Sequence, residues 1–277
     1  MPPSAAPPLI IANWKMHKTV AETVAAITAL RGRPDLLAAV DVVLAPSATA
    51  LDAARQAIAG DRIGLGAQTC HWEPDGAYTG ELSVPQLADV GCGYCLVGHS
   101  ERRQGFGETN DHARRKIAAL LAAGLTPVLC VGETVAERRA GKTEQVVAEQ
   151  VSIALQGLAA DRVARVVVAY EPVWAIGSGK TATPAEVVTV HRFIRRLIVA
   201  DHGDAAGALR ILYGGSVSPE TIGGLLEQSD INGALVGGAS LKMTTFLAIL
   251  ERAAQRNSGP LPSASPRSTP TTARSFA

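Results

Sequence analysis

The feature that most narrows what this chain can fold into is an alternation that occupies nearly its whole length. Short aliphatic runs, "LIIANW", "DVVLA", "RIGLGA", "YCLVG", "TPVLCV", "ARVVVAY", "RILY" and "GALVG", recur with amphipathic stretches between them. Near-continuous runs of this kind read as parallel strands buried on both faces, and parallel strands need a crossover helix between each pair. Two of the intervening stretches, 134–157 and 184–201, carry clear helical periodicity. Thr183-Pro184 supplies an N-cap followed by a first-turn proline. Eight strands alternating with about eight helices predict an α/β fold of one kind, a single-domain (β/α)8 barrel. A doubly wound sheet fits less well, because no G-x-G-x-x-G follows the first strand. A hydrophobic fraction of 47% against 18% charged residues is ample for such a core, and with aromatics at 4% the core must be aliphatic.

The alternation spans 9–256. The segment 1–8, Pro/Ala/Ser-rich, is expected to be a flexible extension, and the Pro/Ser/Thr tail 257–277 to be disordered. A net charge of +1 argues against a nucleic-acid or membrane surface as partner. No basic stretch precedes a long apolar one at the N-terminus and no apolar run reaches about 18 residues, so a soluble cytoplasmic protein is expected. Cys92 and Cys95 have CxxC spacing, but no second ligand pair follows for zinc. The four cysteines read as small buried hydrophobes.

A barrel enzyme carries its chemistry just beyond the C-terminal ends of its strands. Asn13 and Lys15 end the first strand here, His99-Ser100-Glu101 follow the fourth, and Glu171 ends the sixth. Gly214-Gly215-Ser216 follow the seventh and Gly237-Gly238 the eighth. Paired glycines between strand and helix let backbone N–H groups approach an anion, and the loops after strands seven and eight are the usual phosphate site of such barrels. A carboxylate, an imidazole and an ammonium at one barrel mouth suit proton abstraction beside a carbonyl, with the developing oxyanion stabilised electrostatically. Singly, each residue has a plainer reading: Lys15 as a surface charge, His99 as a core imidazole, Glu101 as a helix-start carboxylate. Their joint placement on different strands favours the chemical one.

The stretch "AYEPVWAIGSGKTAT" (169–183) contains Gly-Lys-Thr, yet it is no nucleotide loop. A P-loop needs a glycine five positions before the glycine of GK[ST], and that position is Trp174.

Six blocks, "ANWKM" (12–16), "GHSERR" (98–103), "CVGET" (130–134), "AYEPVWAIGSGKTAT" (169–183), "YGGSV" (213–217) and "GALVGGASL" (233–241), together resemble the triosephosphate isomerase family in order and spacing. The resemblance implies a TIM barrel that interconverts dihydroxyacetone phosphate and glyceraldehyde 3-phosphate through an enediolate, without metal or cofactor, in glycolysis and gluconeogenesis. It implies Glu171 as catalytic base and His99 as neutral electrophile, with Lys15 and Asn13 at the substrate oxygens and Glu101 beside Lys15. Phosphate would rest on the backbone N–H groups of Gly177, Ser216 and Gly238, with Gly237 contributing, and "VWAIGSGK" would form a lid hinged near Lys180. It also implies a homodimer through the long loop 66–81, with Thr79 near the partner's Asn13 and Lys15. Trp72 and Tyr78 in that loop are expected to be buried. Glu81, Arg102 and Glu108 match an ion-pair set of the family. Departures are His17 in place of a common Asn, Ser178 in place of Thr, and the extra tail. Two other readings are an isomerase of a four-carbon ketose phosphate and a non-catalytic phosphate-binding scaffold. The unaltered 169–183 loop and the presence of Glu171, His99 and Lys15 argue against them.

Overall fold

In the computed structural model, which describes residues 6–175 and 182–257, all eight aliphatic runs form strands. These are β1 (Leu9–Asn13), β2 (Asp41–Ala45), β3 (Ile63–Ala67), β4 (Tyr94–Val97), β5 (Thr126–Val131), β6 (Val167–Tyr170), β7 (Arg210–Tyr213) and β8 (Gly233–Val236). They pair in chain order and close into a barrel. Leu9 lies opposite both Asp41 of β2 and Gly233 of β8, every pairing being parallel. The fold is a (β/α)8 TIM barrel.

Alternation along each strand separates two cores. Leu9, Ile11, Val43, Leu96, Val128, Val167, Leu212 and Leu235 point inward and fill the barrel. Their neighbours Ile10, Val42, Leu44, Val97, Leu129, Val168 and Ile211 point outward and are buried under the helical ring. A strand buried on both faces has no polar position to spare, which is why the runs read as continuously aliphatic.

Twelve α-helices lie among the described residues. They are α1 (Val20–Arg31), α2 (Pro34–Ala39), α3 (Leu51–Ile58), α4 (Val84–Asp89), α5 (Ser100–Phe106), α6 (Asn110–Ala122), α7 (Val135–Arg139), α8 (Thr143–Leu155), α9 (Ala160–Val163), α10 (Pro184–His202), α11 (Ile222–Leu226) and α12 (Met243–Ala254). Thr183 caps α10 as expected: its side chain accepts from Glu186 N–H, and Glu186 reaches back to the cap. The stretch 134–157 is not one helix. It divides into α7 and α8 at Gly141, whose φ of 68° lies in the left-handed region that stops a helix.

Of the terminal segments, 1–5 and 258–277 lie outside the described residues. Pro8 is buried, and its carbonyl accepts from Asp41 N–H at 3.0 Å, which ties the chain to β2 before β1 begins. Among the described residues no helix is long and apolar enough to cross a membrane. All four cysteines are buried and free.

The long β3–α4 connection is folded on itself. The His71 ring stacks on Trp72 at 4.2 Å and meets Tyr78 at 4.1 Å, and His71 N–H donates to Leu82 O at 2.7 Å. The expectation that both aromatics are buried is only half met. Trp72 is half-buried with Arg115 over its ring, whereas Tyr78 is 45% exposed. Tyr78 lies in a run from Pro74 to Glu81 that is exposed throughout, where its ring meets His71 and the Gly76 backbone.

Candidate active site

The C-terminal ends of β1, β4, β6, β7 and β8 surround a cavity of about 380 Å³. Asn13, Lys15, His99, Glu171, Ser216, Gly237 and Gly238 all line it, with Gly214, Gly215 and His17. Glu101 stands at its edge and reaches it through Lys15, whose Nζ lies 2.6 Å from Glu101 Oε1. Gly177, Ser178 and Lys180 fall outside the described residues.

Glu171 is held by its backbone as well as its carboxylate. Its N–H donates to Val131 O at 2.7 Å, continuing the β5–β6 ladder one residue past the strand. Gly132 faces it so closely that a Cβ there would lie 1.8 Å from Glu171 O. Only glycine lets the two chains approach to this distance. The carboxylate, 3% exposed, accepts from Ser100 N–H at 3.1 Å through Oε2 and lies 3.1 Å from His99 Nε2 through Oε1. Burial pushes this carboxyl up, but His99 and the Ser100 N–H more than offset the burial and hold it below the usual carboxylate range.

His99 occupies the N-cap of α5, and its Nδ1 accepts from Glu101 N–H at 3.3 Å. Burial pushes the imidazole down, while the carboxylates of Glu171 and Glu101 pull it up and prevail. A second proton would have to sit on Nδ1, facing the Glu101 N–H. The ring's hydrogen bonds are therefore those of a neutral imidazole carrying its proton on Nε2. Asn13 Oδ1 accepts from Lys15 N–H at 3.0 Å, which fixes the amide so that Nδ2 lies 3.3 Å from His99 Nε2. Two N–H donors thus converge on one point of the cavity, the arrangement that stabilises a developing oxyanion.

Opposite these groups the wall is backbone. Gly214, Gly215 and Ser216 after β7 and Gly237 and Gly238 after β8 bring main chain, not side chains, to the cavity. Ser216 Oγ donates to Ala175 O at 2.8 Å, tying this wall to the segment that follows Glu171.

Glu133, in the turn after β5, is a supporting residue that the sequence reading did not single out. It is fully buried and accepts from Tyr170 Oη at 3.1 Å and Trp174 Nε1 at 2.9 Å, with Arg138 Nη1 3.4 Å away. It therefore anchors both sides of Glu171. The available signal was a carboxylate inside "CVGET", an aliphatic strand end with no local partner. Of the expected ion-pair set, Arg102 Nε meets Glu108 Oε2 at 2.7 Å, and Glu108 also receives Lys116 and Gly98 N–H. Glu81 is exposed and makes no ion pair among the described residues of the single chain.

Fold and site define a class: a (β/α)8 barrel whose C-terminal mouth brings a carboxylate, an imidazole, an ammonium and two glycine turns to one cavity. A family model described as triosephosphate isomerase matches residues 8–253. A triosephosphate isomerase of Pelobacter propionicus is 51% identical over 240 residues, covering 86% of this chain and 96% of that protein. One from Moorella thermoacetica is 51% identical over 88% of this chain and 97% of its own length, and one from Geobacter metallireducens 48% identical over 88% and 97%. The chain belongs to the triosephosphate isomerase family.

Proposed function

We propose that the protein interconverts dihydroxyacetone phosphate and D-glyceraldehyde 3-phosphate, as a step of glycolysis and gluconeogenesis in the cytoplasm. The observation that carries the reading is the convergence of Glu171, His99 and Asn13 on one face of a cavity whose opposite wall is glycine backbone. With the substrate phosphate on the Ser216, Gly237 and Gly238 wall, the carbonyl oxygen lies between His99 Nε2–H and Asn13 Nδ2. Glu171 then takes the proton from the carbon next to the carbonyl. The enediolate that forms is held by the two donors and by the Lys15 ammonium, which Glu101 steers into the cavity. The Glu171 carboxyl exchanges its proton with solvent while the enediolate persists, and then delivers a proton to the neighbouring carbon. His99 moves a proton between the two oxygens. No group outside the chain is needed for this proton balance. Glu171 begins ionised through its bonds to His99 and Ser100. Substrate that displaces these bonds makes the carboxylate more basic at the moment it is needed. Gly177 would close the phosphate site from the segment outside the described residues.

The homodimer reading has support in a set of exposed apolar side chains. Met16 is 94% exposed, Phe106 73% and Tyr78 45%, and Tyr78 and Thr79 sit on the protruding loop. In the homodimer reading these side chains belong to the surface that the partner covers. Sedimentation of the purified protein as an active monomer contradicts it.

The function is tested by a coupled assay on purified protein. Turnover of glyceraldehyde 3-phosphate is expected. Turnover of a four-carbon ketose phosphate alone reverses the substrate, and phosphate binding without turnover of either favours a scaffold.

A further inference from the structure

Lys15 is one of two non-glycine residues described with positive φ, at 51°. A lysine in the left-handed region is strained, and such strain persists only where the surroundings over-determine it. The conformation turns the chain sharply after β1 and aims the side chain across the barrel mouth. A Cβ on Gly237 would lie 3.2 Å from Lys15 Cε and 3.7 Å from Nζ, so the ammonium stands directly against the β8 glycine turn.

What holds the backbone in this state comes from two sides. Asn13 Oδ1 takes the Lys15 N–H at 3.0 Å. On the other side, Gln68 Nε2 donates to Lys15 O at 2.8 Å and to Ala45 O at 2.9 Å. Gln68 is the first residue after β3, and Ala45 is the last of β2, whose carbonyl also accepts Trp14 N–H at 3.1 Å. One primary amide thus spends both of its N–H donors on locking the end of β1 to β2 and β3. An aliphatic side chain of the same length has no donors, and a carboxylate would turn acceptors towards two carbonyls.

We propose that Gln68 is a positioning residue for Lys15: it holds the left-handed backbone that places the ammonium beside the glycine turn of β8, and so sets affinity for the phosphate-bearing substrate. The proposal rests on the reading of the cavity as a triose phosphate site. Without both bonds Lys15 relaxes towards negative φ, and the ammonium leaves the cavity while Glu171 and His99, held by the N–H groups of Ser100 and Glu101, stay in place. The signature is therefore weakened anion binding with a smaller loss of kcat.

The test uses the full chain with Gln68→Met and Gln68→Glu. Binding of inorganic phosphate is measured by calorimetry at low salt, beside steady-state kinetics with triose phosphates and thermal melting. The dissociation constant for phosphate and KM are each expected to rise about tenfold in Gln68→Met and further in Gln68→Glu, with kcat changed less than KM. Phosphate affinity and KM within twofold of the parent in a variant that folds, whether or not its melting temperature falls, overturn the proposal and leave Gln68 a loop anchor. Because phosphate binding is read without turnover, an inactive parent protein that still binds phosphate refutes the isomerase reading separately. A parent that turns over triose phosphate but binds no phosphate overturns the Gln68 proposal alone, and one that does neither overturns both.

Discussion

Glu171 and His99 face each other across the barrel mouth, carboxylate Oε1 to imidazole Nε2 at 3.1 Å, each almost fully buried and each held by a backbone N–H at the start of the same helix. The carboxylate is the group able to take a proton from carbon, and the imidazole is the group able to donate to oxygen.

Glu171→Gln keeps the shape of the side chain, turns one of its two acceptor oxygens into an NH2 donor and removes its basicity. The turnover rate is expected to fall by several orders of magnitude, while inorganic phosphate still binds within a few-fold of the parent. Kinetics with triose phosphates and phosphate titration check the two halves.

Gly132→Ala places a methyl group where Glu171 O now lies. Neither chain can give way, because Glu171 N–H is bonded to Val131 O on the same strand pair. The variant is expected to lose about 3 kcal/mol or more of stability, or to fail to accumulate as folded protein. Denaturant titration measures it.

Glu133→Leu removes the acceptor for Tyr170 Oη and Trp174 Nε1, both on the segment that carries Glu171. Each donor loses a buried partner, so a destabilisation of about 2 kcal/mol is expected. The turnover rate falls as well, with KM changed less, because the base Glu171 is anchored between these two contacts. Chemical denaturation and steady-state kinetics report the two effects.

His191, fully buried in α10, has Nδ1 3.0 Å from Asp230 O and, among the described residues, no hydrogen-bond partner for Nε2. Burial pushes this imidazole down to about 4. A free histidine titrates near 6.5, so between these values the unfolded chain binds a proton that the folded chain refuses. Stability is complete above about pH 6.5, declines as pH falls, and has lost about 3 kcal/mol on this account by pH 4. Other carboxylates titrate in the same window, so the comparison is with His191→Asn. Its loss of stability between pH 7 and pH 4 is expected to be smaller by about that amount.

The barrel was legible because a parallel strand covered on both faces must be aliphatic throughout, and eight such runs are hard to arrange otherwise. The placement of Asn13, Lys15, His99 and Glu171 followed from the strand ends alone. Distance along the chain hid the rest. Nothing local marks Glu133 as the acceptor for Trp174, or Gln68 as the clamp on Lys15, since each contact joins different strands. The 134–157 stretch misled for a related reason: its amphipathic pattern runs across Gly141, and only the backbone shows that the helix stops there. Tyr78 was expected inside because aromatic residues usually find cover, and its ring meets His71 but stays 45% exposed.

Proton transfer through an enediolate, with Glu171 as the carrier, is tested most directly by turnover in deuterated water followed by NMR. Dihydroxyacetone phosphate is predicted to give glyceraldehyde 3-phosphate carrying solvent deuterium at the carbon next to the aldehyde, and Glu171→Gln to lose exchange and turnover together. Product free of deuterium from the parent enzyme, or exchange at the parent rate in Glu171→Gln, contradicts the assignment.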